Sequence, residues 1–166
     1  MPTATTPVPL GPSTLNRKWY LDVNTGTAAA PVWLAVNGIT NFKPARNPDM
    51  KDDSDFNSGG FGSTTKTAET WSVETKVARK VTLASVTAYD PGQELLRLRS
   101  YGQTGPANTV NMRYYEMTPG GPRIEAYAGN AAIDWSDDGG DYAAISTSTV
   151  KLMGQGLLAS IAHPAV

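Results

Sequence analysis

The chain has 166 residues, of which 40% are hydrophobic, enough for one domain with its own core and an arm. Its 14 Lys+Arg against 15 Asp+Glu leave a net charge of -1, which argues against gripping nucleic acid through a generally basic surface. The absence of Cys excludes disulfides, thiolate nucleophiles, iron–sulfur sites and cysteine zinc sites, and the single histidine, His163, excludes a two-histidine metal site within one chain.

Met1 to Leu15 carry no charge and four prolines (Pro2, Pro7, Pro9, Pro12), so an extended arm is expected over 1–17. Val8, Leu10 and Leu15 give it a little apolar surface with which to dock on a neighbour. No secretion signal is expected, because the N-terminus has neither a basic nor an apolar region of that kind.

From Lys18 the pattern is mainly β. Lys18 to Val23 alternates, with Trp19, Leu21 and Val23 on one side. Asn24 to Gly26 signals a turn. Val32 to Val36 is a short apolar run, and Asn37-Gly38 predicts a two-residue hairpin to a return strand over Ile39 to Lys43, ended by Pro44. Residues 44–66 then read as one long irregular loop, a length that in a compact domain is usually functional or disordered. Asp49, Asp52, Asp53, Asp55, Gly59, Gly60 and Phe61 are its candidate functional residues.

The longest predicted strand is Thr67 to Val81. Trp71, Val73, Val77 and Val81 share one face; Ser72, Glu74, Lys76 and Lys80 share the other. One helix is predicted over 90–102. Asp90 is its N-cap, Pro91 fits the first turn, Gln93 completes a capping box and Gly102 stops it. Leu95, Leu98 and Tyr101 lie near its apolar face, with Leu96 beside it. Further strands follow over Thr109 to Met117, Arg123 to Ala132 (with Ile133 to Trp135 as an extension) and Ala144 to Gly154, and a C-terminal tail over 157–166.

Val110, Met112 and Tyr114 share a face of their strand while Tyr115 and Met117 occupy the other, so cover is needed on both sides. Neighbouring subunits are one source of it. The low charged fraction, 17% against the roughly 25% of soluble domains, points the same way.

Motifs for chemistry are sparse. There is no phosphate loop and no nucleophile elbow. Gly60-Phe61-Gly62 begins a dinucleotide pattern, but Thr65 stands where its third glycine belongs. Asp53, Asp55 and Asn57 match the first ligand positions of a calcium loop, but Ser58 replaces its glycine and Thr64 its bidentate glutamate. His163 sits beside Pro164 in the expected tail, where a surface histidine outweighs a catalytic base. The expectation is a non-enzyme with no cofactor and no metal. Trp19, Trp33, Trp71 and Trp135 all fall on predicted strands, as core or interface residues or as an exposed platform for glycans.

The order of arm, hairpin, acidic glycine-rich loop, long strand, capped helix and late strands resembles the major tail tube proteins of long-tailed, siphovirus-like bacteriophages. The segments that carry the resemblance are RKWYLDVNTGT, PVWLAVNGITNFKP, DDSDFNSGGFGSTTKTAETWSVETKVARK, YDPGQELLR, GGPRIEAYAGNAAIDWSDDGGD and STVKLMGQG, between Arg17 and Gly156. It implies a mainly β fold over 18–156: an antiparallel β-sandwich or half-barrel with one α-helix outside the sheet. It further implies hexameric rings stacked into a hollow tube, with 44–66 bridging adjacent rings and genomic DNA passing through the lumen. The partners implied are other copies of the chain, a tail terminator, a tape-measure protein and baseplate or tip proteins. The place implied is the virion tail, assembled in the host cytoplasm. Ser72, Glu74 and Lys76 are the candidate lumen face. A type VI secretion-like ring protein of the same fold and a β-sandwich glycan-binding module are the alternatives.

Overall fold

The computed structural model describes residues 9–119 and 121–164. The strands are β1 (Trp19–Asn24), β2 (Trp33–Ala35), β3 (Ile39–Asp52), β4 (Thr64–Ala78), β5 (Val81–Thr82), β6 (Ser85–Tyr89), β7 (Thr109–Glu116), β8 (Ala126–Asp137) and β9 (Thr147–Ser160), with one α-helix, α1 (Pro91–Ser100). Seven strands form one antiparallel sheet in the order β2-β1-β7-β8-β9-β4-β3, and β5 and β6 form a separate hairpin.

The sheet is rolled, and the chain path requires it. β2 and β3 are its two outermost strands, yet Ala35 and Ile39 are four residues apart. Four residues reach at most about 14 Å. Seven flat strands would hold their edges about 29 Å apart. The edges therefore approach: the Asn16 side-chain amide donates to the Phe42 carbonyl at 3.2 Å, and Trp19 of β1 stacks on Phe42 of β3 with centroids 5.8 Å apart. The mainly β, half-barrel-like architecture with one helix is thus the one expected.

The predicted hairpin at Asn37-Gly38 is not formed. β2 pairs with β1, and β3 pairs with β4. Gly38 instead carries the chain across the seam between the two edges. Its φ is +78°, and a Cβ there would stand 2.8 Å from the Ala78 carbonyl oxygen and from Gln93 Nε2, so only glycine fits.

The concave side holds the core. Leu21 and Val23 of β1, Val73 and Val77 of β4, Val110 and Met112 of β7, Ile133 of β8, and Val150 and Leu152 of β9 are all buried there. Tyr114 fills one end of the roll with Trp19, Phe42 and Tyr127 around it.

Helix α1 flanks the sheet, as expected, and meets it through one face. Leu96 is fully buried within the same core cluster. The Asp90 carboxylate accepts from the Gln93 backbone N–H at 3.0 Å, which is the predicted N-cap. The Gln93 side chain does not close a capping box. It turns inward and donates to the Asn37 and Ala78 carbonyls at 2.6 and 3.1 Å. Leu98 and Tyr101, expected on the apolar face, are exposed, because Gly92, Gln93 and Leu96 form the buried face. Before β7 begins, Asn108 and the Ser100 hydroxyl satisfy the open edge of β8 at Ile133 and Trp135. The helix thereby closes one mouth of the roll.

Tyr115 points to the convex side and is nonetheless buried. Its cover comes from the chain itself. Tyr20 stacks on it with centroids 5.9 Å apart, and His163 meets it edge-on at 5.4 Å. His163 Nε2–H donates to the Glu116 carbonyl at 2.6 Å, and the Ile161 N–H donates to the Ala126 carbonyl at 3.0 Å. The expected tail is therefore strand to Ser160 and then a strap across the convex face, and its histidine is engaged. Of the expected arm, residues 1–8 lie outside the described residues; residues 9–15 have no regular structure and are exposed, and Asn16–Lys18 form a 3-10 turn.

Candidate assembly surface

The stretch expected to be irregular, 44–66, is the outer half of a long β-hairpin. β3 and β4 pair from Ile39↔Val77 outward to Asp52↔Thr64, with register shifts between Ile39 and Asn41 and between Asp49 and Met50, and only residues 53–63 lack strand structure. The period-of-two signal was absent because it needs one buried face. From Arg46 to Thr70 no residue is buried, and both faces of the ribbon are open apart from half-buried Ser58. At ~3.4 Å per residue, Asn47 to Asp52 alone project about 20 Å beyond the body. Pro44 and Pro48 are tolerated because β3 is an edge strand and owes no donors to a further neighbour.

Trp71 anchors the root of this hairpin. It pairs with Arg46 in the ladder and is the last buried residue before the projection. Its ring lies across two glycine backbones. A Cβ at Gly154 would fall 2.2 Å from the ring, and one at Gly129 would fall 2.7 Å from it. The Trp71 indole N–H donates to the Gly156 carbonyl at 2.8 Å. Gly156, with φ +80°, lies where β9 bulges between the pairs Asn130↔Gln155 and Ala128↔Ala159.

At the tip, the acidic residues serve the turn. The Asp52 carboxylate accepts from the Ser54 N–H and hydroxyl, and Asp53 accepts from the Thr65 hydroxyl. These donors hold both carboxyls below their ordinary range, with the hydroxyl bonds of Ser54 and Thr65 the largest causes. Asp55 accepts from the Asn57 N–H and the Ser58 hydroxyl, both at 3.0 Å. Gly59 and Gly60, at φ +62° and +82°, reverse the chain. Asp49 lies on β3 and pairs with Lys51 at 3.1 Å. Phe61 and Phe56 stand free in solvent, at 82% and 108% exposure. The structure thus gathers the seven residues singled out from the loop onto one projecting element.

Ser72, Glu74 and Lys76 do not join them. They lie on the convex face of β4, nearer the body. The ladder extends this face into an alternating row, with Lys43, Glu74, Lys151 and Asp134 opposite one another across β3, β4, β9 and β8. Beside the row, Lys76 Nζ lies 3.0 Å from Asp138. Three bases and three acids therefore balance on one polar surface, a pattern visible only once the register is known.

Two features carried no usable sequence signal. One is the β5–β6 hairpin, whose Leu83 and Val86 are exposed at 110% and 81%. The other is the glycine seat of Trp71, whose glycines lie more than fifty positions away along the chain.

No family model matches the chain, and no curated protein sequence matches it. Solved structures do. A chain in the tail of an empty gene transfer agent particle, refined with helical C6 symmetry, superposes with a TM-score of 0.65 at 10% identity, over 90% of this chain and 100% of that one. A chain in the virion of a native gene transfer agent gives 0.61 at 12% identity, over 90% and 100%. A chain in the sixfold-symmetrised baseplate of the anti-feeding prophage gives 0.55 at 12% identity, over 89% and 95%. This chain thus shares its fold with chains found in gene transfer agent particles and in the anti-feeding prophage baseplate.

Proposed function

We propose that the chain is a structural subunit of a bacteriophage-type tail tube, which assembles into stacked hexameric rings through its β3–β4 hairpin. One observation carries this reading: a long ribbon with no cover on either face, projecting from a fold that recurs in tail particles. A two-stranded ribbon alone in water is marginally stable at best. It gains cover when a neighbouring copy supplies it. A head-to-tail contact of this kind does not close on itself, so it builds a filament.

In this account residues 44–66 bridge adjacent rings, and the N-terminal arm adds a second contact between subunits. The balanced face of Ser72, Glu74 and Lys76 lines the lumen. A surface of zero net charge leaves passing DNA few phosphates to neutralise, so the DNA slides. The remaining partners are a tail terminator, a tape-measure protein and baseplate or tip proteins, in a virion tail assembled in the host cytoplasm. The role is structural and needs no cofactor. A secretion-type ring protein would use the same contacts for another cargo. A glycan platform is disfavoured, because Trp71 and Trp135 are buried and Trp19 and Trp33 half-buried.

Negative-stain electron microscopy of the purified protein over a concentration series tests the reading. Hollow rings or tubes are the expected result. Small particles at every concentration, even with preformed tail tips added, would refute it.

A further inference from the structure

The exposed apolar residues gather at the two ends of the long strands. β4 runs from the hairpin tip at Thr64 to the body at Ala78, and its 15 residues span about 50 Å. Phe56 and Phe61 stand beyond the first end. Beyond the other end lies the β5–β6 hairpin, with Val81, Leu83, Val86 and Tyr89 exposed at 48%, 110%, 81% and 45%. Between this hairpin and the start of α1 is a concavity of ≈ 560 Å³, lined by Lys80, Val81, Leu83, Ala84 and Pro91 among others. Lys80 is exposed and makes no ion pair among the described residues.

We propose that this concavity is the receptor for the hairpin tip of a second copy, with Phe56 or Phe61 seated against Leu83 and Val81 and the tip's aspartates facing Lys80. The inference rests on the tube-subunit reading and names the contact that reading leaves open. Three things favour this occupant. The tip and the concavity lie too far apart to meet within one chain, so only another copy can bring them together. They lie at opposite ends of β4, the placement that a head-to-tail stack requires. Their charges complement: Asp49, Asp52, Asp53 and Asp55 outnumber Lys51 and Lys66 on the ribbon, and on the receiving surface the Asp90 carboxylate is taken up by the N–H groups of Asn37 and Gln93, which leaves Lys80 as the charge without an ion-pair partner among the described residues.

The natural chain has no cysteine, so an introduced pair has no background. The test is a double variant, Phe56→Cys with Leu83→Cys, assembled at high concentration, mildly oxidised and run on a non-reducing gel, with micrographs of the same sample. The expected result is tubes together with a ladder of covalent multimers that collapses to monomer on reduction. Each single variant should give no ladder. Tubes without a ladder from the double variant, with Phe61→Cys in place of Phe56→Cys giving none either, would overturn the receptor while leaving the tube reading intact. Dimers from a single variant would place like ends together and overturn it too. Neither tubes nor ladder, in a sample whose wild-type control also stays monomeric, would overturn the tube reading and the receptor with it.

Discussion

Removing the projecting hairpin should leave the domain as stable as before and abolish its assembly. The cut is defined by the ladder. Asn47 and Thr70 are cross-strand partners, so replacing residues 48–69 by Asn-Gly joins them through a two-residue turn of the kind that hairpins prefer. No residue from Arg46 to Thr70 is buried, so the truncation removes essentially no apolar burial. Stability should therefore stay within about 0.5 kcal/mol of the intact chain, as for surface changes generally. The contrast is Phe42→Ala, nearer the body on the same strand. Phe42 is 3% exposed and stacked on Trp19, and its loss should cost about 3–5 kcal/mol. Urea unfolding of both variants reads the difference as a shift in midpoint, and electron microscopy reads assembly. A truncated chain destabilised by more than about 2 kcal/mol would mean that the ribbon packs on its own body. A truncated chain that still forms tubes would mean that the ribbon does not bridge subunits.

Three further outcomes follow from the packing. Gly154→Ala drives a methyl into the Trp71 ring, which is already fixed by Gly129 and by its bond to the Gly156 carbonyl. Overpacking of this kind costs about 1–3 kcal/mol, so the melting temperature should fall by about 2–4 °C per kcal/mol; an unchanged value would show that the ring has room to move. Gln93→Leu leaves the Asn37 and Ala78 carbonyls without a donor at the seam of the roll, and should lower the urea midpoint by about 1–3 kcal/mol in equivalent stability; equal midpoints would mean that water replaces the amide. The Lys18 ammonium, then the Ile124 and Glu125 N–H groups, hold the Glu116 carboxyl down from 4.5 to about 2. A depressed carboxyl contributes stability that is present above its ordinary value and lost as the pH falls toward the depressed one. Unfolding followed from pH 5 to pH 2 should therefore show a loss in the wild type that is smaller in Glu116→Gln, and parallel curves would contradict the role given to Lys18.

The sequence disclosed the body of the fold better than its extremities, and the reason is burial. Trp71, Val73 and Val77 alternate with Ser72, Glu74 and Lys76 because one face of β4 meets the core. The same strand loses that signal before Trp71, where neither face is covered, so its outermost residues, Thr64 to Lys66, and all of β3 beyond Lys43 read as loop. Asp90, Pro91 and Gly102 marked the helix because capping is local chemistry. Its inward face was misread because Gln93, a polar residue, is buried by bonds to Asn37 and Ala78, which lie in distant segments. The Asn37-Gly38 pair signalled a turn correctly and a hairpin wrongly. A positive φ is a local requirement, whereas strand partners are settled by the roll of the whole sheet. The candidate residues of the tip were found from composition, as an acidic glycine-rich cluster. That they stand on a projecting ribbon follows only from pairing with Thr64 to Thr70. The C-terminal strap was hidden for a similar reason: His163 and Ile161 are placed by carbonyls on β7 and β8, far away in the chain.

Cryo-electron microscopy of the assembled protein tests the central claim most directly. A helical reconstruction should show a hollow tube of sixfold rings in which the ribbon from Arg46 to Thr70 lies against a subunit of the adjacent ring. A tube in which that ribbon touches only its own ring, or a sample that never departs from the monomer when supplied with a tail tip, would contradict the account.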